Sequence, residues 1–100
     1  MAIHRVPLSA FGGSDRVLVT LDGREIALFR AGGEVHAVAN ACPHQGNPLI
    51  DGDLRGTRLR CVYHLWEFDL ATGACLSGEA PATRYRATIT TEEVLIDLPP

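Results

Sequence analysis

Read as a pattern of apolar and polar positions, the chain is a series of short strands separated by glycine-rich turns, and no ten-residue stretch carries an amphipathic helical stripe. Residues 16–21 and 25–30 flank Asp22-Gly23-Arg24, and Asp-Gly supplies the positive φ that a tight hairpin turn needs. Gly32-Gly33 turns the chain into residues 34–40, which alternate polar and apolar as far as Ala37 and predict a strand with one face on a core. Residues 57–62 and 65–70 predict two more strands meeting at a turn around Tyr63 and His64. Residues 85–90 and 94–98 predict the last pair. The expected fold class is all-β.

Size changes the picture first. At 100 residues and 10.8 kDa the chain can bury one modest core, with little room for a separate substrate site, so one domain is expected. A hydrophobic fraction of 46% with 21% charged residues suits a folded soluble protein. No apolar run approaches the roughly 20 residues that cross a bilayer. The start, MAIHRVPLSAF, lacks the basic segment, apolar run and small-residue cleavage site of a secretory signal, so the cytoplasm is the expected compartment. Nine arginines, no lysine and twelve acids give a net charge of -3, which argues against a nucleic-acid or anionic-membrane partner. Three cysteines in a reducing compartment point to metal or redox chemistry more than to disulfides.

Between residues 40 and 49 the strand pattern breaks into Cys42-Pro43-His44-Gln45-Gly46-Asn47-Pro48, a loop by its prolines and glycine. Cys42-x-His44 stands in that loop and Cys61-x-x-His64 in the next, with sixteen residues between His44 and Cys61. Two thiolates and two imidazoles suit zinc or an iron–sulfur centre. A mononuclear Cys2His2 zinc site is the alternative. The mixed pairing favours a binuclear cluster, in which one iron takes Cys42 and Cys61 and the other takes His44 and His64.

With these four positions and their flanks, Cys42-Pro43-His44-Gln45-Gly46 and Phe68-Asp69 followed by Thr72-Gly73, the chain resembles the Rieske proteins. The resemblance implies a Rieske fold: a sandwich-like antiparallel base from about residues 1–40 and 71–100, with a cluster-binding subdomain, 41–70, inserted in it. It also implies one [2Fe-2S] cluster held by Cys42, His44, Cys61 and His64. A free-standing chain of this length is similar to the ferredoxins of bacterial aromatic-ring oxygenase systems. By that likeness it is a monomer that takes electrons from a flavin-containing NAD(P)H reductase and gives them to a terminal oxygenase. The other implied reading is a Rieske-type small subunit fixed in a larger oxidoreductase, such as an assimilatory nitrite reductase. His64-Leu65-Trp66-x-Phe68 is particularly similar to the toluene-monooxygenase type, and Leu65 stands where many relatives have glycine. High-potential relatives join their loops by a disulfide and place hydroxyls against the sulfurs. The matching positions here are Asn47 and Tyr63 for the disulfide, and Trp66 and Phe68 for the hydroxyls.

The remaining chemistry-bearing residues carry no assigned role. His4 and His36 are expected to be surface or satisfied core histidines, and Cys75 a small, partly buried hydrophobe. Trp66 and Phe68 alternate along a strand and are expected to pack beneath the cluster. Pro48 and Leu49 are either loop anchors or an apolar rim that touches a partner.

Overall fold

The structure is a computed structural model that describes residues 2–43, 46–63, 65–76 and 80–99. Its strands are β1 (Ala2–Pro7), β2 (Arg16–Leu21), β3 (Arg24–Ala31), β4 (Glu34–Ala39), β5 (Asp53–Arg55), β6 (Arg58–Arg60), β7 (Glu67–Asp69), β8 (Arg84–Ile89) and β9 (Glu93–Leu98). Turn chemistry builds the first meander: Asp22 and Gly23 both take positive φ, 52° and 74°, so β2 and β3 pair in register from Leu21 and Arg24 outward. β4 then folds back on β3, while β1, β9 and β8 form a second antiparallel group. Two residue pairs, Ala37 with Tyr85 and Val38 with Arg84, join the groups into one six-stranded sheet of order β1-β9-β8-β4-β3-β2. A separate three-stranded sheet, β5-β6-β7, comes from the segment after the first cysteine loop.

Two cores share one wall. Ile26 and Leu28 of β3 pack with Val6, Phe11, Val94, Ile96 and Leu98 in the curve of the large sheet. Ala27 and Phe29, which point the other way, pack with Leu49, Leu59, Phe68 and Leu70 from the small sheet and its connections. Burial on both faces is why residues 26–29 read as a continuous apolar run rather than an alternation. No helix among the described residues is long and apolar enough to cross a membrane.

The all-β expectation holds, with four differences. β1 and β5 are additional strands, and β6 and β7 are shorter than expected because residues 61–63 and 65–66 belong to neither strand. β4 is buried on both faces, not one, because the small sheet and the loop before it cover its outer side. His36 is therefore a largely buried residue, and its Nε2 meets no hydrogen-bond partner among the described residues.

Phe29 is the largest side chain of the shared wall facing the loops, so Phe29→Ala should lower unfolding stability by about 3–5 kcal/mol. Urea denaturation followed by far-ultraviolet circular dichroism measures this. A loss below about 1 kcal/mol would mean that the two cores are not coupled through β3.

Candidate metal centre

Each cysteine is set in the same backbone frame. The Cys42 N–H donates to the Asn47 carbonyl at 2.7 Å, and the Cys42 carbonyl accepts from the Gly46 N–H at 2.7 Å. Cys61 repeats this with Trp66 and Leu65, again at 2.7 Å for both bonds. Closing so short a loop on itself requires a left-handed residue at its fifth position, and Gly46 (φ 76°) and Leu65 (φ 60°) both take it. For Gly46 that conformation is free of steric conflict, whereas for Leu65 it costs about 1–2 kcal/mol. The structural equivalence explains why a glycine pattern is natural at position 65 and marks Leu65 as a strained exception.

The first loop is tied to the large sheet at its exit. The Asn40 side-chain carbonyl accepts the Ile50 N–H at 2.8 Å, while the Asn40 N–H donates to the Glu25 carbonyl. Arg16 of β2 stacks 5.1 Å from the centre of the Phe29 ring and donates through Nη1 to the carbonyls of Ile50 and Gly52. Asp15 beside it is held below the usual carboxylate range by its hydrogen bond from Arg16. Gly52 itself touches β6: a Cβ there would lie 2.7 Å from Leu59 Cδ1 and 2.8 Å from the Arg60 carbonyl oxygen. No larger residue fits. These contacts hold Leu49 fully inside the core, so Leu49 is a loop anchor and not a rim residue.

Cys42 and Cys61 are 1% and 0% exposed, are not joined in a disulfide, and share one apolar cluster with Leu49, Leu59, Phe68 and Leu70. His44 and His64 lie outside the described residues. Among the described residues no three His, Cys, Asp or Glu side chains form a metal cage, which leaves the two cysteines as the described half of the expected set. Their chemistry fits a [2Fe-2S] group. A thiolate buried among leucines and phenylalanines needs a compensating positive charge within bonding distance, and ferric ions supply it.

Around the second loop the surface is apolar: Val62, Tyr63 and Leu65 are 47%, 48% and 62% exposed. Tyr63 O–H donates to Asp51 Oδ2 at 2.8 Å, and this bond to a carboxylate holds the phenol pKa above its ordinary value. Phe68 is buried and Trp66 packs partly buried against the same cluster, as their alternation predicts. Cys75 is half-buried at a bridge to Phe68 on the outer edge of β7. The motif spacing marks both cysteines but carries no sign of Asn40, Arg16 or Asp51. An isolated Asn, Arg or Asp has no sequence signature for a contact made across the fold.

The chain belongs to the Rieske [2Fe-2S] domain family, which matches residues 6–93. Members of that family hold a single [2Fe-2S] cluster, and this chain is one of them. It is similar to the ferredoxin component of the naphthalene 1,2-dioxygenase system of Pseudomonas putida, with 37% identity over 96% of this chain and 94% of the relative. Among solved structures it is similar to the Sphingomonas yanoikuyae B1 ferredoxin, with a TM-score of 0.79 and 30% identity over 96% of this chain and all of the other. The ferredoxin of carbazole 1,9a-dioxygenase from Nocardioides aromaticivorans IC177 superposes with a TM-score of 0.78 and 25% identity over 92% of this chain and 95% of that one.

Replacing Leu65 by Gly should relieve the left-handed strain and, after the added freedom of glycine in the unfolded chain, raise stability by about 0.5–1 kcal/mol. Thermal unfolding of the iron-loaded protein reads this. A lower melting temperature would show that Leu65 makes compensating contacts.

Proposed function

We propose that this chain is a Rieske ferredoxin, a monomer of the cytoplasm that carries one electron at a time from a flavin-containing NAD(P)H reductase to a terminal oxygenase. The observation that carries the reading is the 37% identity to a dioxygenase-system ferredoxin component along nearly the full length of both chains. An electron carrier of this size needs a buried redox group close to an accessible surface and no substrate cavity. The two cysteines at 1% and 0% exposure, close in the chain to Val62, Tyr63 and Leu65 that are about half exposed, support that arrangement. A reducing compartment is supported by three cysteines that form no disulfide. The small-subunit alternative has the weaker support, a likeness of fold at 23% identity to a putative nitrite reductase small subunit, against 37% identity to a whole ferredoxin component.

Cys42, His44, Cys61 and His64 are the proposed ligands. Bound there, a [2Fe-2S] cluster supplies reversible one-electron chemistry. The chain's own residues then set the conditions. Leu49, Leu59, Phe68 and Leu70 share one apolar cluster with both cysteines and keep water from them, and the paired loop frames fix the two cysteine backbones in the same way. Trp66 and Phe68 carry no hydroxyl to donate to those sulfurs, so added negative charge gains little stabilisation. Val62, Tyr63 and Leu65 form the apolar ground on which a redox partner can sit.

The midpoint potential should therefore lie at the low end of the Rieske range, near about -150 mV, in a redox titration at neutral pH followed by EPR. A midpoint well above zero would contradict the missing-donor argument. In a reconstituted chain of reductase, this protein and oxygenase, Leu65→Gly should slow transfer to the oxygenase by about fivefold or more, with iron content and potential unchanged. Unchanged transfer would remove Leu65 from the contact surface.

A further inference from the structure

The hydrogen bonds that shape each cysteine loop run within that loop, and none of those backbone bonds joins one loop to the other. The first loop is nevertheless well fixed. Its exit, Leu49–Asp51, is held by Arg16 through two carbonyls, by Asn40 through the Ile50 N–H, and by the close approach of Gly52 to β6. Asp51 is the last residue of that short 3-10 turn, so its carboxylate stands on a rigid post. The tip of the second loop is different. Val62, Tyr63 and Leu65 are about half exposed, and Leu65 holds a conformation that its own sterics oppose. A strained, exposed tip tends to open unless something outside it holds it shut.

We propose that Tyr63 and Asp51 are positioning residues that latch the tip of the second loop to the fixed exit of the first, and so keep the Cys61 sulfur covered. The bond has the chemistry for it. A phenol O–H donating to a carboxylate at 2.8 Å is charge-assisted, and it spans twelve residues to join the segment after Cys42 with the segment after Cys61. Cys61 is fully buried although it begins a loop whose next two residues are half exposed. Holding Tyr63 down is what keeps that cover in place. Each opening of the tip would admit water and chelator to the sulfur, so the latch sets the lifetime of the bound cluster. This inference rests on the ligand set proposed above.

The test is a double-mutant cycle in the iron-loaded, full-length protein, with Tyr63→Phe, Asp51→Ala and the double variant. The rate read is the anaerobic bleaching of visible absorbance after addition of EDTA. Each single variant should bleach about three- to tenfold faster than the parent, and the double variant no faster than the singles. Asp51→Asn, which keeps a neutral acceptor, should restore part of the lifetime lost in Asp51→Ala. Normal iron content with unchanged rates in both single variants would overturn the latch alone. So would a double variant whose acceleration equals the product of the two singles. A parent chain that binds no iron would overturn the ligand set and the latch with it.

Discussion

Residues 26–29 of β3 have no solvent face, and the rest of the molecule is arranged around that fact. One side of the strand closes the curve of the large sheet. The other needs an apolar cover of its own, which the small sheet, Leu49 and the two cysteines provide. The segment that carries the two cysteines is thus part of the packing of the base, since it helps to bury the outer faces of β3 and β4. Cys42 and Cys61 meet there because the loops that carry them leave strands that border the same core.

Two identical backbone frames then present the cysteines in the same way. The frame depends on a left-handed residue, and the loops meet that demand differently, with Gly46 in one and Leu65 in the other. A leucine kept in a conformation that disfavours it, with its side chain 62% exposed, is hard to explain by folding alone. The contact with a redox partner proposed above would give that strain a purpose.

Much of this was legible in the sequence for definite reasons. The Asp22-Gly23 turn declares itself because two successive positive φ values exclude most other residues, and the cysteine and histidine spacing because metal ligation demands particular donors at particular intervals. β1 gives no such sign: it is an edge strand in which Val6 alone is fully buried among residues 3–7, so no apolar face is written into it. β5 has three residues and one apolar side chain, Leu54. Burial of Leu49 depends on what the small sheet covers, which is a property of tertiary packing that local pattern does not encode.

Metal analysis of anaerobically purified protein decides whether the two buried cysteines, with His44 and His64, hold an iron–sulfur cluster. About two irons and two acid-labile sulfides per chain are expected, with both lost when either Cys42 or Cys61 is replaced by Ser. One zinc per chain and no sulfide would contradict the account.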